Sequence, residues 1–487
     1  MTQTSLPPQH SQPAGSAQPT ASPATVVPIL ALAGITAAIM QTLVVPLIAD
    51  LPLLLDTTAS NASWVVTATL LSGAVSIPIS GRLGDLYGKR RVMLACAAIL
   101  VVGSVICALA GSLVPMVVGR ALQGIGMGLV PLGISAMRDL IPGDKLGSSI
   151  ALMSASMGIG GALGLPLAAT VAQNADWQLL FWGGAASAAL IFVLVLTKIP
   201  ATPVSATGSF DLVGAIGLGA GLICLLLGVS KGADWGWADG STLGCLIAAV
   251  VLIGAWGRWE LRTAHPLVDL RVTARPVVLL TNAASLVVGF ALYAQSLIIP
   301  QLLQLPAATG YGLGQSMIEM GLWMLPGGFM MMAMAPVGAK LSHARGPRTT
   351  LAVGSFIIAF GYGASLFLMG STWGLMLAVC VINAGVGFAY GAMPALIMGS
   401  VPQSETGSAN SFNTLMRSIG TTVAAAVVGV VLSQMTVEVG GFPLPSENGF
   451  RTGLLIGAGV ALVAAVIALC IPKSASAAAE DAIEHAH

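Results

Sequence analysis

The chain contains fourteen apolar runs, each close to the length that an α-helix needs to cross a lipid bilayer. Crossing the hydrocarbon takes ~20 helical residues, because each residue adds about 1.5 Å of length. Open strands are excluded there, since only helices satisfy all their own backbone groups without water. The predicted helices are 28–49, 62–81, 92–111, 113–137, 148–172, 179–198, 211–230, 242–259, 277–302, 316–338, 349–370, 373–398, 408–434 and 451–472.

The composition excludes a soluble protein. Only 8% of the 487 residues are charged, whereas soluble domains carry about 25%. The formal net charge of +1 indicates no basic surface for nucleic acid. The six cysteines lie in apolar runs and the five histidines in tails or loops, so neither a metal site nor a cofactor is expected. No P-loop, zinc-protease motif or nucleophile elbow points to an enzyme.

The positions of lysine and arginine predict the orientation in the membrane. With the N-terminus in the cytoplasm, fifteen of them fall in inner loops and the C-terminal tail, and two, Lys231 and Arg451, fall in outer loops. Cytoplasmic loops carry an excess of these residues. We therefore expect a multi-pass protein of the inner (plasma) membrane with both termini in the cytoplasm.

Two loops repeat along the chain. Loop 81–91 follows the second predicted helix, and loop 339–349 follows the tenth. Leu83, Gly88 and Arg90 of the first loop align without a gap with a leucine, a glycine and an arginine of the second. The repeat predicts two halves of six helices each, related in parallel, with one pair of helices inserted between them.

This repeat divides the chain into five predicted parts. They are a disordered cytoplasmic tail 1–27, a first six-helix half 28–198, an inserted hairpin with its linkers 199–276, a second six-helix half 277–472, and a cytoplasmic tail 473–487.

The first loop reads Gly81-Arg-Leu-Gly-Asp-Leu-Tyr-Gly-Lys-Arg-Arg91. On this motif the chain resembles the major facilitator superfamily, and specifically its branch of fourteen-helix drug:proton antiporters, over about 28–472. The resemblance implies an all-α integral membrane protein that exports amphipathic or cationic molecules, such as drugs, antibiotics and dyes, in exchange for protons. It also implies that Asp85 latches the two halves together on the cytoplasmic side. The motif residues are Gly81, Asp85, Gly88, Lys89, Arg90 and Arg91.

A second motif, Arg120-Ala-Leu-Gln-Gly124-Ile-Gly126, lies in the fourth predicted helix and resembles the antiporter pattern R-x-x-Q-G-x-G. An arginine inside a membrane helix is costly unless it faces protein or water, so Arg120 is a functional candidate. Gln123 and Gly124 carry no charge, so a partner must come from another helix. The resemblance implies that Arg120 takes part in proton transfer by tuning a neighbouring acid.

A third motif lies in the fifth predicted helix, where Gly160, Gly164 and Pro166 resemble the G-x-x-x-G-P antiporter signature. The chain departs from the signature because Leu165 separates the last glycine from the proline. Small residues four apart also suit ordinary helix packing, so both interpretations stay open.

The chain also departs from its branch in the first helix, where the usual acid is replaced by Gln41. Glutamine can bond to a substrate but cannot carry a proton. The candidates for proton coupling are therefore Arg120, Asp85 and Glu319, the last being the one acid that lies clearly within a predicted helix. Glu319 has the alternative of a boundary residue that faces outer water.

The candidate residues of a substrate cavity are polar or adaptable side chains inside the apolar runs. Methionine suits promiscuous apolar ligands, although it fills cores equally well. The candidates are Gln41, Gln123, Arg417, Met320 and Met324.

Other functions remain to be weighed against multidrug efflux. One is export of a single dedicated metabolite, for example a self-made antibiotic. A membrane receptor is disfavoured because no soluble sensing domain is present, and a channel because no repeated filter-like loop is seen. The expected partners are a small-molecule substrate, protons and the lipid bilayer, and the protein is expected to be a monomer.

The orientation is testable by cysteine labelling. An impermeant maleimide added to intact cells is expected to label cysteines placed in 231–241 or 435–450, but not those in 81–91 or 261–275. Labelling of the 81–91 loop from outside would overturn the orientation.

Overall fold

A computed structural model describes residues 22–472, apart from 45–46, 48–49, 203, 205 and 440–441. Fourteen helices in this range are long and apolar enough to cross a membrane, which confirms the predicted number and the all-α class. They are, as α1 to α14, Pro23–Thr42, Trp64–Tyr87, Lys89–Leu109, Leu113–Leu140, Gly143–Asn174, Gln178–Lys198, Leu212–Trp235, Gly240–Glu260, Pro276–Gln304, Met317–Arg345, Pro347–Leu368, Thr372–Ser400, Thr406–Gln434 and Glu447–Cys470.

The start of α1 corrects the predicted N-terminal tail. The helix begins at Pro23, so the last five residues of the tail predicted at 1–27 are helical. Proline suits the first turn of a helix, where its missing N–H has no acceptor to lose. Val26 and Val27 are buried, which fixes this turn against the first half. Residues 1–21 and the predicted tail 473–487 lie outside the described residues.

Several helices begin where a side chain accepts the first free backbone N–H groups. Such caps compensate for the unpaired donors of a first helical turn. They open α7, α8, α10, α12 and α14, and the capping residues are Asp211, Asp239, Ser316, Ser371 and Ser446.

Glycines in α4 allow three helices to pack closely. The helix changes to a tighter 3₁₀ turn at Gly126–Gly128 between two α-helical segments. A Cβ atom on Gly126 would overlap with Leu100 of α3, and one on Gly128 would overlap with Ser80 of α2. The glycine-rich motif of the fourth helix therefore has a packing role in the first half.

The helices pack in two groups with the α7–α8 hairpin beside them. One large apolar cluster consists mainly of buried side chains of α9 to α14, and two others, one toward each end, consist mainly of those of α1 to α6. The groups meet where α2 packs on α13 and where α5 packs on α10 and α12. The hairpin packs on α2 and α13 through α7. The division of the chain at 198/199 and 276/277 stays a prediction.

A short β-hairpin follows α13, in a region predicted only as an outer loop. Strand β1, Thr436–Val439, pairs antiparallel with β2, Phe442–Pro445. The hydroxyl of Tyr311, between α9 and α10, donates to the carbonyl oxygen of Pro445 at 2.6 Å. The strands lie outside the spanning helices, in agreement with the exclusion of strand edges from hydrocarbon.

Candidate functional site

A cavity of about 280 Å³ lies where the two groups of helices face each other. Its wall is mainly apolar and includes residues of the inserted hairpin, such as Leu226 of α7. A small number of polar groups in an apolar pocket is typical of sites for organic ligands. The polar lining residues are Gln41, Thr42, Tyr293, Gln295, Ser296, Asn383, Tyr390, Thr414, Arg417, Ser418, Thr421 and Thr422.

Three of the five predicted cavity residues line this cavity. They are Gln41, Met324 and Arg417. The side-chain amide of Gln41 donates to the sulfur of Met127 at 3.3 Å, and it stays largely exposed to the cavity. The place of the usual first-helix acid is therefore occupied by a neutral, hydrogen-bonding group on the cavity wall.

The other two predicted cavity residues, Gln123 and Met320, lie outside it. Gln123 is buried in the first half, where its amide donates to Ser104 and its oxygen accepts from Arg120. Met320 is buried in the apolar cluster of the second half. Beside it, Gly321 packs directly against Pro166 of α5, so this turn of α10 contacts protein and does not line the cavity.

Arg417 is the charged residue of the cavity wall within the described part of the chain. Its guanidinium carbon lies 4.4 Å from the centroid of the Tyr390 ring. One of its nitrogens makes a long contact of 3.4 Å to the hydroxyl of Thr414. No carboxylate among the described residues lies within ion-pair distance of this guanidinium.

Packing against α9 holds Arg417 in place. A Cβ atom on Gly289 would overlap with the backbone and the Cγ atom of Arg417, so a side chain there is excluded. One turn earlier on α13, the amide of Asn413 donates to Asn282 at 2.9 Å and to Ser285 at 2.7 Å. These buried bonds fix the rotation of α13 about its axis, and with it the direction of Arg417.

The second part of the site lies at the end of the bundle that carries loops 81–91 and 401–406, here called the inner face. The charge count predicts that this face lies in the cytoplasm. Asp85, at the end of α2, is fully buried and accepts two backbone hydrogen bonds from the start of α13. The N–H of Gly407 donates to Oδ1 at 2.9 Å, and the N–H of Ser408 donates to Oδ2 at 2.8 Å. We call these three residues the latch.

The latch suits an ionised carboxylate. A helix N-terminus presents free N–H groups and a partial positive charge, and hydrogen bonds to a charged acceptor are stronger than neutral ones. Gly81 allows the close approach, because a Cβ atom there would overlap with the Gly407 carbonyl and with Ser411. The aspartate and glycine of the loop motif thus meet the other half of the molecule directly.

Two cations of the loop motif, Lys89 and Arg90, bind within the first half. Lys89 forms a buried ion pair of 2.6 Å with Asp139 of α4. Arg90 donates to the carbonyl oxygen of Leu196, near the end of α6, at 2.6 Å. Gly88 has a φ of 92°, a conformation that favours glycine, in the turn between α2 and α3. Arg91 is exposed.

Residues of α4 add further bonds across the inner face. Arg138 donates to the hydroxyl of Thr406 at 2.9 Å and to the carbonyl of Val401 at 3.3 Å. Asp139, which holds Lys89, also accepts from the amide of Gln403 at 3.2 Å. Polar bonds between the two groups of helices therefore close the inner face in this structure.

Arg120 lies in a different environment from the one the sequence implied. It is 1% exposed and donates to the carbonyl oxygens of Met40 and Val65 and to the side chain of Gln123. Its partners on other helices are backbone carbonyls, and no acid lies beside it in the described structure. The carbonyl of Met40 belongs to the last turn of α1, where a cation compensates for the negative helix end. A neighbouring acid for Arg120 to tune is thus absent from the described residues.

Glu319 lies at the surface, away from the cavity. It occupies the first turn of α10, where its carboxylate accepts from the backbone N–H of Ser316 at 2.8 Å, and Ser316 caps the same turn. This reciprocal arrangement is a capping box, which stabilises a helix start. The placement corrects our expectation of a membrane-embedded acid, because the carboxylate is exposed at the helix start.

The glycines of α5 serve contacts on two sides. Gly160 packs on Ile35 of α1, and Gly164 packs on Thr42. Pro166 lies within a continuous helix and contacts Gly321 of α10. The motif therefore joins α5 tightly to both groups of helices.

A pair of carboxyl groups in the inserted hairpin was not among the predicted site residues. Asp211, at the start of α7, is buried and accepts from the indole of Trp259. Glu260 is also buried, and its Oε1 accepts from the indole of Trp256 at 2.8 Å. Both carboxyl groups lie against Gly214. The sequence signal that could have predicted this pair was one acidic residue near each end of the predicted hairpin.

Most polar residues of the cavity wall were not predicted, among them Gln295, Asn383 and Tyr390. Each lies inside an apolar run, and a polar residue in such a run is a signal that the sequence does carry. The direction in which each one points was not available from the sequence.

Fourteen membrane helices around a central cavity, with a closure of breakable polar bonds at one end, define a membrane transporter. The chain belongs to the Major Facilitator Superfamily, whose family model matches residues 30–425.

Curated relatives agree with this assignment. An uncharacterized MFS-type transporter of Mycobacterium tuberculosis is 26% identical over 402 residues, which are 82% of this chain and 58% of that protein. The chain thus spans less than two thirds of that relative. The tetracenomycin C resistance and export protein of Streptomyces glaucescens is 28% identical, over 79% of this chain and 71% of that protein.

Solved structures agree on the fold. The human organic anion transporter MFSD10 superposes with a TM-score of 0.64 at 14% identity, over 93% of this chain and all of the other.

The latch generates a prediction for Asp85→Asn. The amide keeps the size of the side chain but loses the charge, and its NH₂ group turns toward a backbone donor. Each lost charge-assisted bond is worth about 1.5–3 kcal/mol, so efflux is expected to fall at least tenfold with normal membrane insertion. The measurement is substrate efflux normalised to the amount of protein in the membrane.

The matched control is His343→Asn, at the position of the second repeat loop that aligns with Asp85. His343 is exposed and has no such bonds, so this variant is expected to keep most of its efflux. Efflux at the wild-type rate by Asp85→Asn would show that the latch is dispensable.

Proposed function

We propose that this transporter exports small amphipathic organic molecules from the cytoplasm in exchange for protons, by opening its cavity alternately to each side. The observation that carries the proposal is the combination of a mainly apolar central cavity with an inner face closed by bonds between the two groups of helices. Such bonds can break and re-form as the groups rock. The similarity to an antibiotic export protein supports the direction of transport.

The mainly apolar wall of the cavity suits amphipathic substrates, which are one part of the substrate range implied by the sequence. Apolar and methionine side chains accommodate amphipathic molecules of different shapes. A cationic substrate would need an acid, and no acid is among the lining residues that the structure describes. Amphipathic substrates are therefore included in the proposal, and permanent cations are not.

The proton is assigned to Asp85 in this proposal. Of the three candidates, Arg120 is bonded to backbone carbonyls and Glu319 caps an exposed helix start. An ionised Asp85 accepts two bonds from α13, whereas a protonated one would be a weaker acceptor. Protonation would therefore loosen the inner face and favour its opening to the cytoplasm, which links the proton to the direction of the cavity.

A second candidate function is export of one dedicated compound. The relative from Streptomyces glaucescens is named for a single exported compound, tetracenomycin C. Competition decides between the two: a multidrug exporter is inhibited by many unrelated amphipathic molecules, and a dedicated exporter by close analogues of one.

Export is testable in cells that carry the protein, with the neutral dye Nile red. Less dye is expected to accumulate with the protein than without it, and a protonophore is expected to abolish the difference. Cells with Asp85→Asn at the same membrane level serve as the control for non-specific effects of expression. Export that persists at full rate with the protonophore would exclude proton exchange.

The proton assignment is testable on purified protein in detergent, through proton release when the neutral methyl ester of 1-naphthaleneacetic acid is added. Release is expected from the wild type and equally from Glu319→Gln, because glutamine preserves a capping box. Asp85→Asn is expected to release none. Loss of release in Glu319→Gln, with release retained in Asp85→Asn, would assign the proton to Glu319 instead.

A further inference from the structure

Arg417 is a buried cation near the middle of a membrane helix. It is the twelfth residue of α13, Thr406–Gln434, and is 6% exposed. At about 1.5 Å per residue it lies some 17 Å from the helix start, too far for its side chain to reach the inner face. A charge at this depth is retained only where it faces a partner or a cavity, and it marks a functional position.

Arg417 has no counter-ion among the residues that the structure describes. The Tyr390 ring faces the guanidinium and attracts it, but the ring carries no net charge. Thr414 offers one long contact. A guanidinium has five N–H donors, and the rest find no acceptor in the part of the chain described. They belong to a side chain on the cavity wall, so they are available to a ligand.

Arg120 shows how this protein satisfies a buried guanidinium that has no ligand to bind. That side chain makes three hydrogen bonds of 2.6 to 3.1 Å, to Met40, Val65 and Gln123. It lies away from the cavity. Arg417 has the same chemistry but has only a contact of 3.4 Å and faces the cavity. The contrast indicates that the partner of Arg417 is a ligand and not one of the residues that the structure describes.

The position of Arg417 is rigid, which suits recognition. Gly289 allows the backbones of α9 and α13 to touch at Arg417, and Asn413 bonds the same two helices one turn earlier. A binding group whose conformation is already fixed before the ligand binds loses little conformational entropy on binding.

We propose that Arg417, with Tyr390 beside it, binds the acidic group of an organic anion, such as an aromatic carboxylate, in the central cavity. The planar guanidinium matches a carboxylate with two parallel N–H bonds. The apolar part of the same molecule lies on Met324, Met331 and Leu70, which line the cavity. The inference rests on the proposed export function and names its substrate class.

The test compares two probes that differ only in charge. They are radiolabelled 1-naphthaleneacetate and its neutral methyl ester, and binding is measured to full-length protein in lipid nanodiscs. Wild type is expected to bind the anion at least tenfold more tightly than the ester. Arg417→Gln is expected to lose this preference, with anion affinity reduced at least tenfold and ester affinity changed less than twofold.

Two further variants keep the test decisive. Arg417→Lys retains the charge, so it is expected to keep a preference for the anion, although a smaller one because the two-bond geometry is lost. Arg451→Gln removes an exposed cation that pairs with Glu447 far from the cavity, and it is expected to behave as wild type. Ester binding by Arg417→Gln also reports that this variant is folded.

Three results would overturn the inference. The first is that wild type binds the two probes with equal affinity. The second is that Arg417→Gln still prefers the anion. The third is that Arg417→Gln and Arg417→Lys both lose binding of both probes, which would mean that Arg417 has a structural role. Transport in proteoliposomes separates the two proposals. If the ester is exported in a proton-driven way but the protein shows no preference for the anion, only the inference about Arg417 is contradicted. If the protein prefers the anion in binding but exports neither probe, only the export function is contradicted.

Discussion

The absence of water from the hydrocarbon core is the constraint on which the rest of this structure depends. Each backbone donor and acceptor in that region must be satisfied by the protein itself, which leaves helices as the spanning elements. Where three helices must come together, glycines such as Gly126 and Gly128 remove the side chains that would separate them. The strands β1 and β2 occur only beyond the spanning helices, where exposed strand edges are tolerated.

The same constraint makes each buried charge informative, because burial demands a partner. Lys89 has a carboxylate, Arg120 has the carbonyl end of α1, and Asp85 has the amide end of α13. The first two pairings lie within one half, so the proposed rocking of the halves would leave them intact. The pairing of Asp85 joins the halves, and the proposed opening of the inner face would break it. Arg417 alone among these four faces the cavity.

The proposed transport cycle uses separate groups of residues for closing the inner face and for lining the cavity. The latch closes the inner face with two backbone bonds, Arg138 adds bonds to Thr406 and Val401, and the cavity lies beyond them between the halves. The inserted hairpin takes part as well, because α7 packs on both α2 and α13 and contributes to the cavity wall. It therefore contacts the two helices that form the latch.

The sequence by itself determined the number of spanning helices, the superfamily and the loop motif around Asp85, because helix length and turn chemistry are local properties of the chain. It also marked Gln41, Arg120 and Arg417 as unusual residues within apolar runs. Only the tertiary structure decided their partners. In the structure, Glu319 caps a helix start and Gln123 accepts a hydrogen bond from Arg120. Tyr390 lies on the cavity wall. The rotation of each helix about its axis determines which neighbour a side chain meets, and that rotation depends on packing between residues distant in the sequence.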